Sequence, residues 1–529
     1  MRKIVAIVLD GVGDLSCEKL GLCTPLEASR KHFLDALAEC GTCGAMDSLE
    51  PGFPCGSDTA HMLIFGYEPR GIYRGRGAFE ALGGGLDMKP GDIAFKSNYG
   101  TYDPATNLVI TRRADRAMEK IGPILASSIN GLKLPHFPEA QITCKYLTEH
   151  RCAVRIRASG MSGEVTGTDP LVDYKQLLQS QPLDKSAEAL KTSQIINELQ
   201  KGIIDALSDH PVNIERKKQN KNLANILLLR GPGIQIDIPP FSSLHPHIRP
   251  FVFAPTAIVA GVGMTAQMDT FIHPDATGDY FTNFEKKADF FTKMIEITEY
   301  NYCFMHVKAT DDTGHDGRPV LRRDIIERID RMMGLILSRL VDSKHELIIQ
   351  ICADHSTPIC VKDHSCEPVP FMFCHLDNFK TRYRVILNEK ANEYVNCYGQ
   401  GNEGWKIPFD VNQFRLKTVD QWHNDDQIEK GGESNKLGDQ ITQKEKEPEQ
   451  EPDFRITGGC TRFEGVVQLQ KISEDGGKLK EQMQRIANLA LTSLRPDESQ
   501  GYAEVECAKG RLGRFGAREL IKFAEKILD

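Results

Sequence analysis

Asp311-Asp312-Thr313-Gly314-His315 places a carboxylate and an imidazole four residues apart. That spacing lets both side chains turn toward one point, where oxygen and nitrogen donors together suit Mn²⁺ or Zn²⁺. Asp354 and His355 repeat the pairing, His364 follows nine residues after His355, and Asp10 adds another acid near the start of the chain. Taken singly, each could be a satisfied polar residue or a helix N-cap. Taken as a set, acids gathered in one place repel each other unless cations hold them. Six such groups exceed what one ion needs, so the pattern predicts two divalent metal ions.

A second constellation is Pro54-Cys55-Gly56-Ser57-Asp58-Thr59-Ala60-His61-Met62. Gly56 allows a tight turn, and Ser57 opens a helix-like apolar run. Such a serine is most often a helix cap. The same place aims backbone N–H groups and the positive dipole end at a phosphate, and beside a divalent metal its hydroxyl can ionise and attack phosphorus. Arginines are dense further on: Arg74, Arg76, Arg112, Arg113, Arg116, Arg155, Arg157 and Arg230. Their forks suit phosphate and carboxylate, although most surface arginines are simply solvated. Arg230 stands out because it ends the apolar run Ile226–Leu229 and precedes Gly231-Pro232-Gly233. The glycine-rich stretch 71–85 fits neither GxGxxG nor GxxxxGK[ST], which excludes a nucleotide loop there.

These groups need elements to hold them. Three short apolar runs, Ile4–Leu9, Tyr302–Val307 and Leu347–Ala353, each lead into acid or imidazole. Continuous apolar strands covered on both faces predict an α/β layered domain with a mainly parallel sheet, and ligands of such sheets sit beyond the carboxyl ends of the strands. Ile325, Ile329, Met332, Ile336 and Leu340 have helical spacing. Residues 86–274 mix strand-like pieces (153–156, 226–229) with a polar helix-like stretch, 186–209, and read as a second domain inserted into the first. The expected division is therefore 1–85 and 275–529 for the metal-binding domain and 86–274 for an inserted cap. Within the second part, 477–494 regains helical spacing and 518–528 predicts a closing helix. Residues 424–453 carry ten acids against four bases and few aliphatics, the composition of a disordered loop.

The chain has 529 residues, 65 Lys plus Arg and 73 Asp plus Glu, for a net charge of −8. The 424–453 loop alone supplies six of those negative charges. No basic field supports nucleic-acid binding, no apolar run approaches a membrane span, and the apolar run after Met1-Arg2-Lys3 is too short for a signal peptide. The fifteen scattered cysteines suit a reducing compartment, and the expected location is the cytoplasm. Cys40 and Cys43 form a CxxC without a second CxxC to complete a zinc ribbon, and read as structural thiols.

Several stretches together resemble the cofactor-independent phosphoglycerate mutases, in their archaeal-type branch, within the alkaline phosphatase superfamily. They are VLDGVGD at Asp10, PGFPCGSDTAHMLIFGYEP at 51–69, GRGAFEALGGGLDMKPGDIAFKSN at 75–98, RRADR at 112–116, LLLRGPG at 227–233, HVKATDDTGHDG at 306–317, ADHSTP at 353–358, KDHSCEPVP at 362–370 and AKGRLGRFGARELI at 508–521. Most of 379–503 lies outside the resemblance and is an insertion not typical of this branch. The resemblance implies an alkaline-phosphatase-like domain split by a cap. It implies reversible interconversion of 3-phosphoglycerate and 2-phosphoglycerate in glycolysis and gluconeogenesis, without bisphosphoglycerate. Ser57 would be the nucleophile and form a phosphoserine. Asp10, Ser57, Asp354 and His355 would hold one metal, and Asp311, His315 and His364 the other. Mn²⁺ is the implied ion, with Mg²⁺, Co²⁺ or Zn²⁺ as alternatives. Arg112, Arg113, Arg116, Arg157, Arg230 and Lys308 are the candidates for substrate contact.

Two other readings use the same residues. A phosphomonoesterase or sugar-phosphate mutase of the same superfamily would share the metal core and differ in how the cap treats water. A non-enzymatic scaffold would use the acidic loop as its contact surface, but an intact ligand set argues against it.

Overall fold

The computed structural model describes residues 1–115, 117–383, 415–416, 502–504, 507, 510 and 512–528. Arg116, the 424–453 loop and the helical spacing at 477–494 lie outside the described residues.

The three apolar runs are adjacent strands at the centre of a nine-stranded sheet: Tyr302–Val307, Arg2–Leu9 and Glu346–Cys352, all parallel. Ile4 to Leu9 are fully buried, as a strand covered on both faces requires. The register sets Val8 opposite both His306 and Cys352. The chain therefore leaves all three strands at one edge, carrying Asp10, Lys308 and Asp354 there together. Pro250–Phe253 and Asp269–Phe271 extend the parallel part, and Val369–His375 and Arg415–Leu416 run antiparallel. Helix Pro319–Leu340 buries Ile325, Ile329, Met332, Ile336 and Leu340, the face its spacing predicts. The closing segment begins as a short 3₁₀ turn, Ala517–Glu519, before helix Leu520–Leu528.

The middle of the chain builds a separate six-stranded sheet whose strand pairs are all antiparallel. Strand Arg151–Arg157 and strand Ile226–Ile234 flank strand Ile93–Asp103. Side chains alternate across a strand. One face buries Ile93, Phe95, Tyr99, Val154, Ile156, Leu227 and Leu229 in an apolar cluster with helix Ala187–Ser208. The other carries Ala94, Lys96, Asn98, Arg151, Arg155 and Arg230, partly covered by helix Gly77–Gly83.

That short helix joins the two sheets. It crosses helix Ala257–Thr265 backbone to backbone: a Cβ on Gly83 would stand 1.9 Å from the Ala257 carbonyl, and one on Gly261 1.9 Å from that of Phe79. Only glycine permits such an approach. None of the thirteen described cysteines, Cys40 and Cys43 included, forms a disulfide. Among the described residues no helix is long and apolar enough to cross a membrane.

Candidate active site

Gly56, not Ser57, is the N-cap of helix Ser57–Ile64, and Ser57 makes no capping bond. The cap expectation is therefore corrected: the serine stands in the first turn with its hydroxyl free for another partner. Its Oγ lies 3.1 Å from His355 Nε2, and the residue is 8% exposed. His355 Nε2 is also 3.4 Å from Asp10 Oδ1 and 3.4 Å from Asp354 Oδ2.

The hydrogen-bond network assigns the protons on three histidines. The Thr357 hydroxyl donates to Asp311 Oδ1 at 2.6 Å, so it accepts from His355 Nδ1–H at 3.1 Å. His315 Nδ1–H donates to the Lys362 carbonyl at 3.0 Å, and His364 Nδ1–H to that of Cys55 at 2.7 Å. Each turns its Nε2 to carboxylates, where it holds either a proton or a cation: His315 and His364 stand 3.4 and 3.6 Å from Asp311. Lone pairs do not attract carboxylates, so the arrangement calls for cations between them. Both Asp10 oxygens and Asp354 Oδ2 are buried without a hydrogen-bond partner, which carries the same demand. Ligand atoms of Asp10, Asp354 and His355 lie within 4.8 Å of one another, as do those of Asp311, His355 and His364. The donor sets fit divalent metal ions.

The electrostatics agree. Burial would raise the Asp311 carboxyl, but Lys308 and the neighbouring histidines outweigh it and hold the group well below the usual range. Its hydrogen bond to Asp311 pushes His315 up to about 9; the field that holds a proton there would hold a metal cation. Burial also opposes a charge on Lys308, yet Asp10, Asp311 and Asp312 raise its pKa. Carboxylates surround the Lys308 ammonium: it pairs with Asp311 and lies 3.4 Å from Asp10 and 3.6 Å from Asp312.

The arginines divide. Arg112 is forked onto Asp169 at 2.6 Å through both arms. Arg157 is held by Asp92 and Asp87 at 2.8 and 3.0 Å, and Arg155 by the Asp87 carbonyl and Thr143. Arg113 and Arg230 are exposed, and among the described residues no carboxylate closes on either. Partial desolvation by the surrounding protein and the neighbouring Arg112 both disfavour charge on Arg230.

Several residues carry the site without having been singled out as site residues from sequence. His61 lies one helical turn below Ser57, donates from Nδ1 to its carbonyl at 2.6 Å, and is pushed by burial down to about 3, hence neutral. His306 Nε2 stands 3.0 Å from Asp10 Oδ2. Arg322, fully buried, binds Asp14 at 2.8 Å and the Thr357 carbonyl at 2.6 Å, bracing the loops around Asp10 and His355. The four-residue spacing of Ser57 and His61 was a usable signal. Arg322 gave none beyond an arginine on a helix.

A family model described as 2,3-bisphosphoglycerate-independent phosphoglycerate mutase matches residues 38–213. A curated protein of that name from Methanobrevibacter smithii is 38% identical over 370 residues, covering 70% of this chain and 88% of the relative. One from Saccharolobus solfataricus is 38% identical over 370 residues, covering 70% and 87%. Among solved structures, a protein of Pyrococcus horikoshii aligns over 100% of this chain and 97% of its own, with a TM-score of 0.65 and 26% identity.

Proposed function

This chain belongs to the 2,3-bisphosphoglycerate-independent phosphoglycerate mutase family, and we propose that Ser57 is the group that carries the phosphoryl between the two positions of the substrate. The activity is the interconversion of 3-phosphoglycerate and 2-phosphoglycerate, an isomerisation by intramolecular phosphotransfer that needs no bisphosphoglycerate. The single observation behind the Ser57 assignment is its hydroxyl, 3.1 Å from His355 Nε2, in the same buried pocket as the unpartnered oxygens of Asp10 and Asp354.

Asp10, Ser57, Asp354 and His355 would hold one divalent ion, and Asp311, His315 and His364 the other, with Mn²⁺ the ion we assign and Mg²⁺, Co²⁺ or Zn²⁺ as alternatives. When bound, such ions favour the ionised serine and neutralise phosphate charge. Ser57 Oγ attacks phosphorus as the bond to the glycerate oxygen breaks. The positive end of helix Ser57–Ile64 favours the incoming phosphate. Lys308 adds positive charge between Asp10 and Asp311. The unit built on the six-stranded sheet, about 93–234, acts as the cap; it stops short of the expected 274 because Pro250–Phe253 and Asp269–Phe271 belong to the nine-stranded sheet. Its free arginines, Arg113 and Arg230, hold glycerate while the other hydroxyl turns toward the phosphoserine, and closure keeps water away. The second hydroxyl then takes the phosphoryl and Ser57 is released. Arg112 and Arg157 serve by shaping the cap through Asp169, Asp92 and Asp87. A cytoplasmic location suits both this metabolic role and the unbridged thiols.

The test is 3-phosphoglycerate with Mn²⁺ and no bisphosphoglycerate, following 2-phosphoglycerate and free phosphate together. The mutase yields 2-phosphoglycerate with little phosphate. Dominant phosphate release would make the chain a phosphatase, and inactivity with every divalent metal would favour the scaffold.

A further inference from the structure

The GRGAFEA stretch, residues 75–81, is among the most distinctive in the sequence, and the roles assigned above leave it without a task. Its backbone is pressed onto the cap sheet. A Cβ on Gly75, whose φ is +89°, would meet the Pro232 carbonyl at 2.0 Å, and one on Gly77 the Ala94 carbonyl at 2.0 Å. This approach seats Arg76 and Glu80 against strands Ile93–Asp103 and Ile226–Ile234. There one oxygen of Glu80, Oε1, accepts from the Arg76 guanidinium at 3.0 Å and from Lys96 Nζ at 2.8 Å.

Lys96 lies directly across from Arg230 in the strand register, on the sheet face turned away from the cap's own core. The Arg76 stem lies 3.5 Å from where Gly231 would carry a Cβ. Arg76 and Lys96 thus share one carboxylate, and Arg230 lies beside them without contacting it. The other nearby acids are engaged: Asp58 accepts from the Tyr73 hydroxyl at 2.5 Å, and Asp169 is taken by Arg112. Arg76 Nε is buried without a hydrogen-bond partner. Burial brings Lys96 down to about 8, although Glu80 resists the shift. Positive charge that is partly buried and outnumbers its counter-ions costs stability unless an anion joins it.

We propose that Glu80 is a positioning residue that holds Arg76 and Lys96 beside Arg230 to receive the carboxylate of phosphoglycerate, the anionic group that is not transferred. The metal-ligand cluster and Ser57 claim the phosphoryl, whereas a guanidinium fork beside an ammonium matches a carboxylate. A carboxylate anchor must stay fixed while the two hydroxyls exchange places, and one buried acid gripping both cations provides that fixity. The inference rests on the mutase reading and adds the group that orients glycerate within it.

The experiment uses full-length wild type, E80Q, K96M, R76M and the E80Q/K96M double variant, with 3-phosphoglycerate and saturating Mn²⁺. KM for 3-phosphoglycerate rises about tenfold or more in E80Q and in K96M, the loss expected of one charge-assisted hydrogen bond, and kcat falls less. Free phosphate formed per 2-phosphoglycerate rises, because loosely held glycerate leaves and water takes the phosphoryl from Ser57. The double variant loses less than the product of the single losses, since both act through one site. Thermal melting reports whether each variant folds, and R76M reads the same site should E80Q fail to fold. Wild-type KM and a wild-type phosphate ratio in folded E80Q or R76M would overturn the proposal. Wild type that makes no 2-phosphoglycerate would instead remove the mutase reading itself.

Discussion

The Thr357 hydroxyl donates to Asp311 at 2.6 Å, and through it the two halves of the candidate metal centre share one hydrogen-bond chain, because the same oxygen accepts from His355 Nδ1 at 3.1 Å. Thr357 is fully buried, so nothing replaces it from solvent. Thr357→Val keeps the shape and removes both bonds, freeing His355 to turn. Activity should then need about 10- to 100-fold more Mn²⁺, the range for loss of an outer partner of a metal ligand. A Mn²⁺ titration of kcat checks this, and an unchanged midpoint would remove Thr357 from the centre.

Ser57→Ala should abolish turnover while leaving the melting temperature close to wild type. The Ser57 hydroxyl makes no capping bond, so its loss does not weaken the helix start. Intact-mass measurement after exposure to 3-phosphoglycerate should show a phosphoryl adduct on part of the wild-type protein and none on the variant. Substantial residual mutase activity in the variant would remove Ser57 as the carrier.

The parallel core and the strand-end acids were legible because both are local: an unbroken apolar run, then Asp, then a turn. Helix Pro319–Leu340 was legible from its period. Long-range pairing was not. Nothing around Glu80 announces that it will hold Lys96, sixteen residues on and in another element, and nothing near Arg157 announces Asp92 and Asp87. Arginine forks are read from sequence as free, and only the fold shows which are already closed. Ser57 misled in a smaller way, since a one-residue shift of the helix start moved the cap to Gly56. Lys308 was visible as a candidate, but its place among three carboxylates depends on pairing strands Arg2–Leu9 and Tyr302–Val307, which lie far apart in the chain.

The glycine crossing between helix Gly77–Gly83 and helix Ala257–Thr265 makes an opposite pair of predictions. Gly261→Ala forces a methyl to within 1.9 Å of the Phe79 carbonyl, where backbone must shift, and should destabilise by about 1–3 kcal/mol. Gly202→Ala, in helix Ala187–Ser208, meets its nearest neighbour at 3.8 Å and should be neutral or stabilising by up to about 1 kcal/mol. Thermal melting of both variants is the check; equal shifts would mean the crossing is not tight.

Asp330 sets a pH dependence away from the catalytic centre. Its Oδ1 accepts from the Phe33 and Leu34 amides at 3.0 and 2.9 Å, holding the start of helix His32–Cys40. Burial nevertheless pushes its carboxyl up to about 7, the two amides and Lys31 opposing and Asp35 adding to the shift. An unfolded Asp titrates near about 4, so between the two values the folded state binds the extra proton. This contribution to stability is fully present below about pH 4 and is lost as pH rises through about 7. Asp330→Asn keeps an oxygen for both amides and cannot ionise. Relative to wild type, the variant's melting temperature should therefore climb from pH 5 to pH 8. A constant difference across that range would mean Asp330 ionises alike in the folded and unfolded chain.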